Sequence, residues 1–263
     1  MSDAPSPHAL VTREVRDGVA VLRLADAGRR NVLSPRLVRC LVEAVETCER
    51  DETIGALVLT GEGTAFCAGA ELGNLLAAAH GEEHRLREVY EGFLRVAACR
   101  LPTIAAVNGP AIGAGFNLAL ACDIRLAAPT ALFDCRFARL GLHPGGGHTW
   151  MLTRAVGHQR AAAMLLLSQP LTGSQAADAG LALRCVPGPE LVDEAVALGR
   201  RATDVDPTLL RTIKQSLSES GAETDFSAMV DTEFDRQVHS LHQPSFRTAL
   251  ERARERRRPE PHR

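Results

Sequence analysis

The chain has 263 residues, a hydrophobic fraction of 45% and a formal net charge of −2. That length and apolar content suffice for one large domain, or for one domain with a small appendage. The near-neutral charge gives no support to general binding of nucleic acids or of anionic membranes.

Cysteine usage and the N-terminal residues indicate where the protein works. The seven cysteines are scattered singly, at positions 40, 48, 67, 99, 122, 135 and 185. With no C-x-x-C pair and no Cys/His cluster, neither a metal site nor a disulfide framework is expected. MSDAPSPHAL lacks the features of a signal peptide, and no stretch approaches the ~20 apolar residues of a membrane span. We predict a soluble, cytoplasmic protein with a disordered segment at residues 1–9.

The first elements have clear local signals. Two β-prone runs flank Asp17-Gly18, which predicts a hairpin. Ser34 suits the N-cap of a helix, and Pro35 then occupies the first helical position. Apolar residues recur along one face of this segment, so we predict a helix that ends at about Arg50.

Strand and helix patterns alternate through the first half. GALVLTG and PTIAAVNG predict buried strands, and DIRLAAP and ALFD are strand-like. Helices are predicted at 82–99, up to about 122, near 147–156, 158–167, 174–180 and 189–203, with three more to the C-terminus. This alternation predicts an α/β fold with largely parallel pairing. The last third is a helical region whose apolar stripe must pack on the first part or on another subunit.

Two loops have the same physical character. AFCAGAEL follows GALVLTG, and AIGAGFNL follows TIAAVNG; both are rich in Gly and Ala and lead toward a helix. On neighbouring parallel strands they would direct two backbone N–H groups at one point. Such an oxyanion hole is worth roughly 3–4 kcal/mol per donor. Close packing alone would explain one loop, but it explains two matched loops less well. A phosphate loop is a weak alternative, because GEGTAF lacks the spacing and the Lys-Ser/Thr pair.

Longer segments around these loops carry a family resemblance. GTAFCAGAEL and AAVNGPAIGAGFNLALACDIRLA resemble the two signature segments of the enoyl-CoA hydratase/isomerase (crotonase) superfamily, and LGLHPGGGHTWMLTRAVG is similar to its third. RRNVLS and SQPLTGSQAADAGLALRCV extend the resemblance from about residue 10 to 259. It implies a spiral of β-β-α units over residues 10–200 with an acyl-CoA site. It also implies a C-terminal helical region, 201–263, that contacts CoA and forms a trimer or a dimer of trimers.

The resemblance also assigns binding roles. The backbone N–H groups of Ala70 and Ala114 would hold the thioester oxygen of an acyl-CoA as it becomes an enolate, and the Ala68 carbonyl would read the adenine amino group. The segment from Arg30 to Val32 would line the pantetheine and phosphates of CoA, and Gly69 and Glu71 are also implied in CoA binding. Arg256, with Arg257, would contact the 3′-phosphate of CoA from a neighbouring subunit. The basic RARERRRP, otherwise a solvated helix end, thereby becomes a phosphate partner. CoA enters as part of the substrate, and no further cofactor is implied.

The acid–base residues of the family are replaced. Its hydratases use two glutamates, and the matching positions hold Asn117 and Phe137. Neither side chain exchanges a proton near neutral pH. Since general acid–base assistance contributes about 10²–10⁴ per group, we expect most ordinary hydratase activity to be absent. The isomerase pattern fails too, because its alternative acid position holds Gly145.

Several side chains are candidates for the missing roles. His143 is the leading proton-transfer candidate because histidine titrates near neutral pH; capping or packing under the glycine turn is the alternative. His148 is predicted on the outer face of the next helix. Asp134 faces either the site or a surface turn, Glu71 is predicted to cap a helix start, and Cys67 is predicted to be packed.

The remaining polar positions complete the hypothesis. Asn117 would orient a water or a substrate carbonyl, and Asp123 is interpreted as structural. The sequence thus predicts an acyl-CoA enzyme, a lyase or isomerase in type, that works through an enolate without the usual glutamates. The alternative is a non-catalytic protein of lipid metabolism that binds and presents acyl-CoA.

Overall fold

A computed structural model describes residues 10–221 and 225–255, without the side chains of 253–255. The chain divides into two compact units, Met1–Thr203 and Asp204–Arg263. The predictions made for residues 1–9, Arg256 and Arg257 lie outside the described residues.

The first unit holds the strands and most of the helices. Its described strands are β1 (Val11–Arg16), β2 (Val19–Leu24), β3 (Ala56–Gly61), β4 (Thr103–Val107), β5 (Pro110–Ile112), β6 (Ile124–Ala127), β7 (Leu132–Asp134), β8 (Leu171–Thr172) and β9 (Arg184–Cys185). Its described helices are α1 (Pro35–Arg50), α2 (Leu72–Ala79), α3 (His84–Ala97), α4 (Ala114–Leu120), α5 (His148–Leu166), α6 (Gly173–Asp178) and α7 (Leu191–Thr203).

Two sheets organise this unit. The larger has the order β1-β2-β3-β4-β6-β9, and the smaller has the order β5-β7-β8. β1 and β2 form the predicted antiparallel hairpin, and Asp17 and Gly18 take the positive φ values of 51° and 76° that such a turn requires. β2, β3, β4, β6 and β9 then pair in parallel. The α/β prediction with largely parallel pairing is confirmed.

Both faces of the large sheet are covered, which explains its near-continuous apolar strands. Alternate residues of β2, β3 and β4 enter a large core with α1 and α3, among them Leu22, Leu57, Leu59, Ala105 and Val107. The intervening residues, among them Val21, Val58 and Ile104, pack in a second core with Ala195 and Val196 of α7.

Local signals account for several helix boundaries. The Ser34 side chain accepts a hydrogen bond from the Leu37 N–H at 3.2 Å, and Pro35 opens α1. Gly157 (φ 75°, ψ 166°) breaks α5, which explains the two helices predicted there. Helix α2 begins at the helix start predicted after Glu71 and precedes the helix predicted at 82–99. Its sequence LGNLLAAA is rich in Leu and Ala, whose helix propensity outweighs the cost of Gly73.

The second unit consists of α8 (Pro207–Ser220), α9 (Phe226–Leu241) and α10 (Pro244–Glu255) in the described part of the chain. Asp206 and Asp225 cap α8 and α9 with their carboxylates. Arg236 of α9 joins the two helices through Ser216 and Glu219 of α8. Large apolar side chains remain exposed on these helices, among them Ile213, Leu217, Phe226, Phe234 and Leu241.

Three further observations concern residues 10–221 and 225–255. No helix combines the length and the apolar character needed to cross a membrane. No group of three or more His, Cys, Asp or Glu residues is placed to hold a metal ion. All seven cysteines lie in this part of the chain, and no disulfide joins any of them.

Candidate functional site

The two matched loops of the sequence lie against each other. Cys67 of the first loop donates its N–H to the Pro110 carbonyl at 3.1 Å, and the Ile112 N–H donates to the Cys67 carbonyl at 3.0 Å. These bonds form a parallel bridge between Cys67 and Ala111. The first loop therefore runs beside β5, which leads directly into the second loop.

The segment that follows β2 holds the other side of the first loop. Ala68 donates its N–H to the Arg30 carbonyl at 3.0 Å, and Leu33 donates to the Gly69 carbonyl at 2.8 Å. Asn31 is fully buried, and its amide nitrogen donates to the Ala65 carbonyl at 2.9 Å. Arg30 is exposed.

The small residues of these loops are needed for close approach. A Cβ on Gly115 would lie 2.1 Å from the Cys67 carbonyl oxygen, and one on Gly69 would lie 2.7 Å from the Ile112 oxygen. Gly113 has φ 51° and ψ −114°, a conformation that side-chain-bearing residues avoid. Close packing is therefore real at both loops, and it brings their backbones together.

Two backbone donors at this junction have no acceptor in the described chain. Among the described residues, no carbonyl accepts a hydrogen bond from the N–H of Ala70 or of Ala114. A Cβ on Gly69 would lie 3.9 Å from the Ala114 nitrogen, so the two loops meet there. Both alanines line one cavity of about 150 Å³. We call Gly69, Ala70, Gly113 and Ala114 the donor wall.

The remainder of the cavity wall is mainly apolar. The described residues that line it outside the donor wall are Ala68, Leu75, Leu86, Val89, Tyr90, Ile112, Asn117, Cys135, Arg136, Phe137, Leu140, Leu142, His143 and Gly145. None of the described lining residues carries a carboxylate. The cavity thus unites the predicted oxyanion donors with Asn117, Phe137 and His143.

A buried polar chain stands beside the donor wall. Asn117 donates from Nδ2 to the Gly145 carbonyl at 2.9 Å, and its Oδ1 is hydrogen-bonded to His148 Nδ1. The other ring nitrogen, Nε2, lies 3.2 Å from Cys135 Sγ. We call Asn117, Cys135 and His148 the histidine network.

The positions of the hydrogens in the histidine network can be assigned from one group that can only accept, the Gly145 carbonyl. The Gly145 carbonyl can only accept, so the nitrogen of the Asn117 amide must face it. The amide oxygen then faces His148 Nδ1, which must carry the ring hydrogen. Nε2 is consequently an acceptor, and it receives the S–H of Cys135.

Burial keeps the histidine network uncharged. It lowers the pKa of His148 to about 4, while burial and the nearby Asp134 carboxylate raise the pKa of the Cys135 thiol to about 12. The order Cys–His–Asn is that of a nucleophile, a base and an orienting group. A neutral thiol beside a neutral imidazole lacks the lowered thiol pKa of a reactive cysteine, so the network's evident effect is to fix Asn117.

The prediction for His148 is wrong. It is fully buried, with the rings of Phe116 and Phe137 edge-on to it at 5.1 and 4.9 Å between centroids. Gly147 at φ 78° precedes it and starts α5. His148, the first residue of α5, therefore lies in the core and not on the outer face of the helix.

His143 lines the cavity from the rim. It is exposed, so it does not pack beneath the glycine turn. Its Nδ1 lies 2.7 Å from the Pro144 carbonyl, which assigns the ring hydrogen to Nδ1 in the neutral form. Nε2 is then available to accept a proton.

Two acidic residues have structural partners. Asp134 is buried, pairs with Arg136 at 2.8 Å and is not among the lining residues. Asp123 Oδ2 accepts from both the N–H and the hydroxyl of Thr103, which confirms its structural interpretation.

The structure also tests the predictions for Glu71 and Cys67. Glu71 occupies the N-cap position of α2, but its side chain makes no capping bond and instead pairs with Arg29 at 2.5 Å. The capping prediction is wrong in that respect, because a nearby guanidinium offers a charged partner. Cys67 is packed as predicted: it is fully buried, and burial raises the pKa of its thiol to about 12.

Tyr90 is a lining residue that the sequence analysis did not single out. Tyr90 of α3 reaches the cavity, with its ring 5.4 Å from that of Phe93, and a Cβ on Gly145 would lie 2.1 Å from its hydroxyl oxygen. The available signal was its type, because Tyr90 is the only tyrosine in the chain.

Comparison with known proteins shows which family and which solved structures this chain resembles. The family model described as Enoyl-CoA hydratase/isomerase matches residues 14–262. The chain is 42% identical over 243 residues to "Probable enoyl-CoA hydratase EchA14" of Mycobacterium tuberculosis, covering 90% of this chain and 94% of that one. It is 36% identical to the 1,2-epoxyphenylacetyl-CoA isomerase of Escherichia coli, covering 86% of each. An enoyl-CoA hydratase structure from Bacillus anthracis superposes with a TM-score of 0.87 at 27% identity, covering 95% of this chain and 98% of that one. The predicted crotonase-type fold is confirmed.

Proposed function

Because the chain belongs to the enoyl-CoA hydratase/isomerase family, we propose that it binds an acyl-CoA thioester on the donor wall. The thioester oxygen accepts hydrogen bonds from the N–H groups of Ala70 and Ala114. The observation that carries this proposal is the pair of backbone donors that no described carbonyl occupies, on one cavity.

The same donors stabilise an enolate. Removal of a proton from Cα places negative charge on the thioester oxygen, where preorganised N–H groups contribute roughly 3–4 kcal/mol each. Only the backbone takes part, so alanine serves at both positions. The names of the relatives, which include hydratases and an isomerase of CoA thioesters, support this reaction class.

The proposal excludes efficient hydration by the usual route. An amide and a phenyl ring occupy the two glutamate positions, and the lining residues in the described chain provide no carboxylate. His143 Nε2 is the proton acceptor that we assign to the Cα hydrogen. Such an enolate is an intermediate of both lyase and isomerase reactions.

A second candidate is acyl-CoA binding without chemistry. The neutral histidine network favours it, because the buried imidazole beside Asn117 has its pKa lowered to about 4 and is a poor base. The two candidates differ in one observable, which is exchange of the Cα hydrogen of a bound acyl-CoA with deuterium from solvent.

Ala114→Pro tests the donor wall directly. Ala114 is the first residue of α4, where proline is tolerated and only the N–H is lost. Gly113, at φ 51° and ψ −114°, lies near the mirror image of the region preferred before proline, which glycine alone reaches easily.

We expect Ala114→Pro to weaken butyryl-CoA binding about tenfold and to slow any Cα exchange by roughly 10²–10³. Ala114→Gly keeps the N–H and should lose less of both. Equal losses in the two variants would contradict the donor role. Binding without exchange in the wild-type protein would favour the second candidate, and failure to bind any CoA thioester would remove both.

Assembly and location belong to the same proposal. The exposed apolar side chains of α8 to α10 support subunit contacts in a trimer or dimer of trimers. The cysteines without disulfides support a cytoplasmic location. Contact of Arg256 with a CoA phosphate is also proposed.

A further inference from the structure

The Asn117 amide has a single orientation. Its Oδ1 is occupied by His148 Nδ1–H, and one Nδ2 hydrogen is given to the Gly145 carbonyl. Asn117 is 1% exposed and lines the cavity. The oxygen therefore already accepts one hydrogen bond, which leaves one lone pair for the water that it was considered to orient.

The second Nδ2 hydrogen has no protein acceptor. Among the described residues, only the Gly145 carbonyl accepts from Asn117 Nδ2. An amide carries two N–H donors, and leaving one of them buried without an acceptor costs about 1–3 kcal/mol. A ligand oxygen in the cavity would remove that cost.

Resting on the proposed function, we infer that Asn117 is a third N–H donor beside Ala70 and Ala114, and that it selects a 3-oxoacyl thioester. Such a ligand has a second carbonyl oxygen two carbons from the thioester carbonyl. The thioester oxygen meets the donor wall, and the 3-oxo oxygen accepts from Asn117 Nδ2.

The missing carboxylates fit the same ligand. A Cα–H between two carbonyls is far more acidic than one beside a single thioester. When that bond breaks, its electron pair delocalises over both oxygens, and the proton passes to His143 Nε2. Three N–H donors stabilise the resulting enolate, so an imidazole suffices as the base and a carboxylate is not required.

A 3-hydroxyacyl thioester fits less well. Its hydroxyl oxygen would also accept from Asn117, but its own hydrogen would need an acceptor. Asn117 Oδ1 already accepts from His148, the described lining residues lack a carboxylate, and His143, the other acceptor, is exposed. The ketone needs no acceptor, so it binds more tightly than the alcohol.

Calorimetry with three C4 thioesters tests this assignment: acetoacetyl-CoA, 3-hydroxybutyryl-CoA and butyryl-CoA. The wild-type protein should bind acetoacetyl-CoA roughly tenfold more tightly than butyryl-CoA, with 3-hydroxybutyryl-CoA between them. Binding should also raise the near-ultraviolet absorbance of the acetoacetyl enolate.

Two variants probe the donor. Asn117→Leu should bring the affinity ratio of acetoacetyl-CoA to butyryl-CoA to about one and remove the absorbance change. Asn117→Asp keeps an acceptor for His148, so it remains informative if Asn117→Leu does not fold, and it should bring the ratio to one or below. Asn74→Leu is the matched control, because Asn74 is a similarly buried amide, 4% exposed, whose Nδ2 has no partner in the described structure. It should keep the wild-type ratio.

The outcomes separate the two proposals. Equal affinity of the wild-type protein for acetoacetyl-CoA and butyryl-CoA would overturn the role of Asn117 while leaving acyl-CoA binding intact. An unchanged ratio in Asn117→Leu or in Asn117→Asp would also overturn it. Failure of butyryl-CoA and the other two thioesters to bind at all would overturn the proposed function and this inference with it.

Discussion

The donor wall and two members of the histidine network, Asn117 and Cys135, line one cavity, but the wall and the network are built differently. The donor wall uses backbone N–H groups of two loops that β5 holds together. The histidine network uses side chains from α4, the segment after β7 and α5. The side chains of the donor wall can therefore change without loss of its donors, because Ala70 and Ala114 donate from the backbone. In the histidine network, each substitution changes which atoms donate and which accept.

The donor wall is constrained by steric contacts, whereas the histidine network is constrained by hydrogen-bond pairing. The loops of the donor wall depend on glycines at the few points where a Cβ would meet a carbonyl oxygen. The histidine network instead depends on complementary partners, since each member satisfies its neighbour. We therefore expect steric damage to dominate at the donor wall, and protonation or pairing to dominate in the network.

The largest effect is expected for Gly115→Ala. The new Cβ would lie 2.1 Å from the Cys67 carbonyl oxygen, so the two loops must separate. We expect a loss of at least about 3 kcal/mol in the free energy of unfolding, measured in urea, together with loss of acyl-CoA binding. Gly188→Ala is the control, because nothing lies within 4 Å of its added Cβ. Equal stability of the two variants would show that the loops are not tightly held.

His143→Ala probes the proton acceptor that we assign at the rim. If Nε2 takes the Cα proton, exchange of a bound acyl-CoA with deuterium should slow about 10²-fold or more, with little change in affinity. Mass spectrometry of the recovered thioester measures it. His158→Ala, at an exposed histidine of α5 outside the cavity wall, should exchange at the wild-type rate. Unchanged exchange in His143→Ala would dismiss this residue.

Acid should weaken the fold through His148. Its pKa falls from 6.5 in the unfolded chain to about 4 in the folded protein. Between these values the unfolded state binds more protons, so stability is full above pH 6.5 and declines as the pH falls. The loss from pH 7.5 to pH 5 should be about 2 kcal/mol.

His148→Gln isolates that contribution, because the other titrating groups remain. Urea unfolding of both proteins at several pH values gives the difference between their stabilities. We expect the wild-type advantage to shrink by about 2 kcal/mol toward pH 5. A difference independent of pH would mean that His148 is charged, or solvated, in the folded state.

The smallest effect is expected for Glu71→Gln. The Arg29–Glu71 pair is partly exposed, at 49% and 34% of the side chains, so solvent screens it. We expect a loss below about 1 kcal/mol that falls with added salt. A larger, salt-independent loss in urea unfolding would indicate a capping role that the geometry lacks.

Local chemistry made much of the fold predictable. The turn at Asp17-Gly18, the cap at Ser34 and the apolar runs of β3 and β4 act over a few residues, so their signals survive in one sequence. The donor loops were predictable for the same reason, since Gly and Ala at strand ends restrict the backbone directly. The assignment of their N–H groups to a thioester remains a proposal.

The histidine network could not be read from the sequence. Its members are 13 to 31 residues apart, and their contact depends on the direction of the first turn of α5. Packing of Phe116 and Phe137 against His148 sets that direction, and neither ring is a local signal. Tyr90 was missed for a related reason, because a helix face shows which residues turn inward but not which cavity they reach.

The rate of crotonyl-CoA hydration tests the central claim most directly. The measurement is kcat at saturating substrate, beside a family hydratase that carries both glutamates. With Asn117 and Phe137 at those positions, we predict a kcat at least about 10⁴-fold lower, although the thioester still binds. A kcat within tenfold of the hydratase would contradict the account.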